Sequence, residues 1–205
     1  MRKLIVAAMT SLDGVIQAPG GPDEDTGGGF AHGGWAWPYA DDSEDAMGGA
    51  FKRPFELLLG RRTYDIFAGY WPHVPKGAPH QDIADLFNGV AKHVATHHPD
   101  TLAWHNSHAL GADPGAALRE LKRGEGADLL TQGSSELVHQ LLATDLVDEL
   151  RLLIYPILLG RGKRLFDDRA QASAFRLQES RTASTGVLIT RYVRDGEVRT
   201  GSFES

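Results

Sequence analysis

Residues 55–64 read Phe-Glu-Leu-Leu-Leu-Gly-Arg-Arg-Thr-Tyr. Phe55 to Leu59 is a short apolar run stopped by Gly60, the pattern of a strand buried on both faces, and a helical pattern follows over Arg62 to Phe67. The same switch recurs where Leu129 to Thr131 runs into Gln132-Gly133-Ser134-Ser135 and a helical pattern over Ser135 to Ala143. Lys3 to Thr10, His93 to Thr96 and Leu150 to Leu159 also read as strands, and Ile83 to Phe87 and Pro114 to Lys122 as helices. Asp113 before Pro114 supplies an N-cap and a first-turn proline, and Gly124 a stop. Strands alternating with helices predict crossover units and a mainly parallel sheet flanked by helices, hence an α/β fold. The end of the chain differs. Phe175 to Ala183 and Val187 to Val193, separated by Ser184-Thr185-Gly186, predict a closing antiparallel hairpin.

The 205 residues suit one domain, residues 1–205. With 27 acidic residues against 21 Lys and Arg, the net charge of −6 gives no basic field for nucleic acid, so a phosphate ligand needs a local positive site. No cysteine is present, which excludes disulfides and thiolate chemistry. The apolar run from Leu4 to Met9 is cut by Thr10 to Gly14 without a cleavage pattern, and no apolar stretch reaches the ~18 residues of a membrane span. The expectation is a cytoplasmic protein without membrane contact.

Neither G-x-G-x-x-G after a strand nor a Walker loop is present, and the G-x-S-x-G and H-E-x-x-H patterns are also missing. The nine histidines, including His97-His98 and His105-x-x-His108, lack partners that would make a metal site, so no metal is expected. The two strand-to-helix junctions carry more information. Each places a glycine where backbone must approach something closely, and each leaves free N–H groups at a helix N-terminus, an anion site. Arg61 and Arg62 add guanidinium forks and Thr63 a hydroxyl. Together they suggest a dinucleotide held by two loops beyond the carboxyl ends of the strands. Residues 18–42, rich in glycine but carrying Phe30, Trp35, Trp37 and Tyr39, predict an ordered loop lining a site or an interface.

These motifs, in this order, resemble the dihydrofolate reductase-like family. The likeness is to the reductase domain fused to a deaminase in riboflavin biosynthesis, and to its free-standing bacterial relatives. It rests on SLDG (11–14), LLLGRRTY (57–64), QGSSELV (132–138) and LVDELRLLIYPILLGRGKRLF (146–166), with GGFAHGGWAWPY (28–39) resembling the long loop of the free-standing relatives. It covers the chain from Lys3 to about Val193. The deaminase pattern H-x-E with P-C-x-x-C is missing.

The resemblance implies NADPH as hydride donor to a pyrimidine, a pteridine or a related imine or carbonyl. It places Gly60, Arg61, Arg62 and Thr63 on the cofactor-phosphate turn, with Arg61 on the adenosine 2′-phosphate and Thr96 near the ribose. Gln132, Gly133, Ser134 and Ser135 match the pyrophosphate loop, where Ser134 departs from the family's second glycine. Ala8 and Ile16, with Ala7, would flank the nicotinamide. Trp35, Pro156, Leu159 and Arg161 are the expected substrate contacts, with Lys163 and Arg164 available to anionic groups. Glu44 and Asp13 are the catalytic candidates, Glu44 from ungapped counting back from Gly60, and Asp13 also fits a structural turn onto nearby backbone. A homodimer is expected from the riboflavin-type relatives. The alternatives are a nucleotide- or pterin-binding protein of the same fold without turnover, and a structural dimer module.

Overall fold

A computed structural model describes residues 1–40, 51 and 53–203. Its sheet holds eight strands: β1 (Leu4–Ser11), β2 (Phe55–Gly60), β3 (Lys92–Ala95), β4 (Ser107–Ala109), β5 (Asp128–Thr131), β6 (Glu149–Tyr155), β7 (Phe175–Thr182) and β8 (Leu188–Arg194). They lie in the order β4-β3-β2-β5-β1-β6-β8-β7. The first six run parallel, and β8 pairs antiparallel with both β6 and β7. The described α-helices are α1 (Arg61–Tyr70), α2 (Gln81–Gly89), α3 (Pro114–Arg123) and α4 (Ser135–Ala143). The α/β class, the mainly parallel sheet and the C-terminal hairpin are those expected from the sequence.

Alternation along the central strands sends leucines to both faces, which is why these segments read as continuous apolar runs. Leu4, Val6, Leu58 and Leu129 pack with Leu137, Val138 and Leu141 of α4. Ile5, Ala7, Leu57, Leu59 and Leu130 pack with Tyr64 of α1 and Phe87 of α2. Each fully buried leucine contributes ~1.5–3 kcal/mol of transfer free energy, so the central strands anchor both layers. Helix α3 starts as its sequence dictates, with the Asp113 carboxylate accepting the Ala116 N–H at 2.9 Å. In the hairpin, Gly186 adopts a φ of +85° and Ala183 N–H donates to Val187 O at 2.9 Å.

Two details depart from expectation. The strand expected over Leu150 to Leu159 ends at Tyr155. Pro156 cannot donate to a ladder, and further on the N–H groups of Leu159 and Gly160 donate to the Asp13 carboxylate instead, at 3.1 and 2.8 Å. The edge strand β4, Ser-His-Ala, was not expected, because three residues without an apolar run carry no periodic signal.

At the seam where β6 joins the parallel strands to β8, Glu149 is fully buried. It pairs with Arg151 at 2.6 Å, Arg191 at 2.8 Å and Lys3 at 3.5 Å. Among the described residues, no helix is long and apolar enough to cross a membrane.

Candidate active site

Strand lengths create the site. β5 pairs with β1 only as far as Val6↔Thr131 and with β2 only as far as Leu57↔Leu130. Beyond these points β1 continues through Ala7 to Ser11 against β6, and β2 continues to Gly60 against β3. The sheet therefore forks past the carboxyl end of β5, which is where ligands bind in open parallel sheets. A cavity of about 1370 Å³ opens there. That exceeds the ~300–1,000 Å³ of a cleft for one drug-sized molecule, leaving room for a dinucleotide and a second ligand.

The two junctions meet face to face in the fork. Gly60 N–H donates to Gly133 O at 3.2 Å. A Cβ on Gly60 would lie 2.9 Å from Ser134 N and collide with its side chain, and one on Gly133 would lie 2.8 Å from Thr63 Oγ1. Gly133 has a φ of +142°, a region that favours glycine, and its peptide bond to Ser134 is cis. Helices α1 and α4 begin at Arg61 and Ser135, so their unpaired N–H groups lie at the same place. Ser134 stands at the N-cap with a φ of −75°, so its Cβ is tolerated where the family pattern has glycine.

Ala8, Ile16, Gly60, Arg61, Arg62, Thr63, Thr96, Gln132, Gly133, Ser134 and Ser135 all line this one cavity. Arg61 is held in place, its Nε donating to the Asp65 carboxylate at 2.9 Å and its Nη1 to Thr96 Oγ1 at 3.3 Å and His98 O at 3.2 Å. Arg62 pairs with Asp25 at 2.7 Å, and Lys163 pairs with the same carboxylate. Burial alone would raise the Asp25 pKa, but Lys163, the Gly27 N–H and Arg62 together hold it below the usual carboxylate range.

The aromatic loop is packed, as expected, and its first part lines the cavity through Pro19 to Asp25. Gln17 is its hub: the side-chain amide donates to Asp25 O at 3.0 Å and Gly27 O at 2.9 Å and accepts Lys163 N–H at 3.0 Å. Trp35, an expected substrate contact, is buried and is not among the residues that line the cavity. Its indole N–H donates to Gln17 O at 2.7 Å, and its ring packs edge-on against Tyr155 at 5.1 Å, so it anchors the loop to β6.

Pro156, Leu159 and Arg161 also lie outside the cavity lining. The chain leaves the sheet at Pro156, and Asp13 holds the following turn. Asp13 accepts the Ser11 hydroxyl at 2.6 Å as well as the two N–H groups named above, and Arg164 closes over it at 3.4 Å. The Ser11 hydrogen bond first, then the Leu159 and Gly160 N–H groups, lower its pKa from 3.8 to about 2. These bonds make Asp13 a clasp on the turn, the structural alternative that its sequence position also allowed. The other catalytic candidate, Glu44, lies outside the described residues.

Two features escaped the sequence reading. Glu24 lines the cavity and accepts Gly20 N–H at 2.7 Å and Gly21 N–H at 3.2 Å. Desolvation nonetheless raises its pKa above the usual value. The second is an aromatic wall built by α1, the 3-10 turn that follows it and α2, including Phe67, Trp71 and Phe87. An acid in a glycine-rich loop and the inner faces of two amphipathic helices carry no local signal of a shared cavity. Among the described residues, no cluster of three or more His, Cys, Asp or Glu side chains is placed to hold a metal.

Comparison with known proteins accords with this geometry. The uncharacterized protein YyaP of Bacillus subtilis (strain 168) is 28% identical over 142 residues, 68% of this chain and 74% of YyaP. A solved protein from Shewanella sp. PV-4, provisionally named for riboflavin biosynthesis, superposes with a TM-score of 0.61 at 20% identity, covering 94% of this chain and 99% of that one. Dihydrofolate reductase from Enterococcus faecalis, solved in complex with NADP(H) and RAB-propyl, gives a TM-score of 0.57 at 15% identity over 94% of this chain and 96% of that one. The two superpositions establish a dihydrofolate reductase-like fold. Since the RibD C-terminal domain model matches residues 2–189, nearly the whole sequence, the chain belongs to the RibD C-terminal domain family.

Proposed function

We propose that this protein is an NADPH-dependent reductase that delivers hydride to a small heterocyclic, imine or carbonyl substrate of the pyrimidine or pteridine type. A cytoplasmic location and a homodimeric state belong to the same proposal. The observation that carries it is the contact between two glycine-bearing helix N-termini at a fork in the sheet. Phosphate oxygens need backbone N–H donors without intruding Cβ atoms, plus cations at the rim. Gly60 and Gly133 let the two junctions close on each other, which gathers the starts of α1 and α4 at one end of the cavity, and Arg61 and Arg62 line it beside them.

Arg61, Thr63 and Thr96 would hold the adenosine phosphate and ribose, and Gly133, Ser134 and Ser135 the pyrophosphate, while Ala8 and Ile16 would flank the nicotinamide. When bound, NADPH supplies the hydride. The chain must then orient the acceptor, exclude water and supply a proton. The aromatic wall and the loop from Pro19 to Asp25 enclose the acceptor space. Among the described residues of the cavity, the proton would come from Glu24, whose proton affinity burial raises, whereas Asp25 and Glu136 are held below the usual range.

Parallel titration of NADPH and NADH into wild type and Arg61→Ala, followed by nicotinamide fluorescence, tests the proposal. NADPH should bind at least ~10-fold more tightly than NADH, about 1.4 kcal/mol, and Arg61→Ala should abolish that preference. Failure of both nucleotides to bind overturns the proposal. Binding without turnover of any heterocycle, imine or carbonyl would leave a nucleotide-binding protein.

A further inference from the structure

Lys92, at the start of β3, is fully buried, and among the described residues no carboxylate pairs with its ammonium. Its Nζ donates to Asn88 O and to His105 O, each at 2.9 Å, and stands over the Trp104 ring at 4.3 Å from the ring centre. An ammonium has three N–H donors, and two carbonyls and an indole face take them up. One of those carbonyls belongs to the last turn of α2, where helix carbonyls lack partners of their own. The site is therefore satisfied in hydrogen bonds and unbalanced in charge. Burial lowers the Lys92 pKa from 10.5 to about 8, which marks the charge as a cost to the fold. An apolar side chain of the same length would fill the space without that cost, so the ammonium calls for another explanation.

The contacts of the lysine lead by two routes to Arg61. The first runs through rings. Trp104 donates its indole N–H to Asn88 Oδ1 and its backbone N–H to the Tyr64 hydroxyl, both at 2.8 Å. The Tyr64 and Trp104 rings lie 6.2 Å apart, and the Arg61 guanidinium lies 5.8 Å from the centre of the Tyr64 ring. Two buried rings thus stand in series between two cations, and in a close-packed interior a shift of one reaches the next. The second route is the main chain. His105 ends the connection that leaves β3 at Thr96, and along it Thr96 Oγ1, His98 O and Thr101 Oγ1 all accept from Arg61 Nη1. Lys92 holds the far end of this connection twice, by its side chain on His105 O and by its backbone N–H on Asn106 O at 2.9 Å. With Nε on Asp65, the Arg61 nitrogen that no described residue occupies is Nη2, the donor left for an anion.

We infer that Lys92 is a positioning residue for Arg61: through Trp104 and the connection from Thr96 to His105 it fixes the guanidinium that the dinucleotide assignment places on the adenosine 2′-phosphate. The consequence for binding rests on that assignment, whereas the link from Lys92 to Arg61 does not. Discrimination between NADPH and NADH then depends in part on a residue that touches neither, and at this residue fold stability and cofactor choice separate.

Lys92→Met keeps the length of the side chain and removes its charge and its donors. In the full chain without ligand, proton exchange at arginine Nε is followed by NMR, the Arg61 signal being the one lost in Arg61→Lys. Lys92→Met should speed exchange at Arg61 Nε at least ~5-fold. Arg194 Nε is the internal control, since it also meets a carboxylate at 2.9 Å but lies on β8, across the sheet from β3, and its exchange should stay within ~2-fold. In the calorimeter NADP+ affinity should fall at least ~5-fold and NAD+ affinity by less than ~2-fold. The urea midpoint at pH 7 should be no lower than that of wild type, because the variant no longer buries a charge. Should Lys92→Met fail to fold, Asn88→Ala keeps the lysine and releases the Trp104 indole, and it should speed Arg61 exchange at least ~2-fold over Arg194. Unchanged exchange at Arg61, equal acceleration at Arg61 and Arg194, or a loss of NADP+ affinity matched by NAD+ overturns the inference. If wild type binds neither nucleotide, the dinucleotide assignment falls instead, and the ratio of the two exchange rates still decides whether Lys92 holds Arg61.

Discussion

Glu149→Gln removes one charge from the seam between the parallel strands and the hairpin while keeping the shape of the side chain. Burial works against ionisation of this carboxyl, but hydrogen bonds and charge from Arg191 and Arg151 prevail and bring its pKa from 4.5 to about 2. A carboxyl whose native pKa is depressed stabilises the fold fully above its unfolded pKa, and that contribution disappears as the pH falls through the native value. At ~1.36 kcal/mol per pH unit, the fall corresponds to roughly 3 kcal/mol at neutral pH. The amide also leaves Arg151, Arg191 and Lys3 facing one another without a counter-charge, and breaking a buried pair in this way typically costs about 3–5 kcal/mol. Urea unfolding of wild type and variant at pH 7 and pH 3 measures both effects. With a slope of ~2 kcal/mol per molar urea, the variant's midpoint should be at least ~1 M lower at neutral pH. The gap should shrink at pH 3, inside the window from 4.5 to about 2 over which the wild type loses the contribution. Equal midpoints at pH 7, or a gap that widens on acidification, would refute the charge assignment at the seam.

Gly133→Ala combines a φ of +142° with a Cβ 2.8 Å from Thr63 Oγ1, so it should push the two junctions apart and weaken NADPH binding at least ~10-fold, measured by calorimetry. Unchanged affinity would show that the junction does not hold the cofactor. Trp35→Ala should cost up to ~3–5 kcal/mol, limited by the loop's own local stability, whereas Trp35→Phe keeps a ring and loses ~1 kcal/mol with the indole hydrogen bond. Equal unfolding midpoints for the two variants would remove the hydrogen bond from the account. Because Glu24 must be protonated to donate, wild-type kcat/KM should fall as the pH rises past its raised pKa, and Glu24→Gln should lower the rate and flatten that limb. A variant with the wild-type profile would take Glu24 out of the proton path.

How much of this was legible in the sequence depends on the range of the interaction concerned. Both junctions could be read because they are local. A buried apolar run, a glycine and a helix start lie within about a dozen residues, and the structure brings Gly60 and Gly133 into contact. The C-terminal hairpin and the Asp113 cap were legible for the same reason. The contacts of Asp13 and Trp35 were not legible because their partners lie far along the chain: Asp13 holds Leu159 and Gly160, and Trp35 rests on Tyr155. An acid in a turn or an indole in a glycine-rich loop looks equally functional whichever way it points. The aromatic wall was hidden differently. Phe67 and Phe87 fit ordinary amphipathic helices, and only the packing of α1 against α2 shows that part of this apolar face lines a cavity. The fork was not legible either, since it depends on where β5 stops relative to both neighbours.

The two ends of the sheet bear on how copies of the chain can meet. β4 offers only three residues at one edge, and β7 at the other presents Arg176, Glu179 and Arg181 on an exposed strand interrupted by an irregularity between Leu177 and Glu179. Short, charged and bulged borders make poor templates for adding a further strand. Continuous strand addition, the route to fibres, is therefore disfavoured at both margins. A closed dimer of this chain would instead join through side chains on a face of the fold, with its backbone ladders left as they are in the monomer.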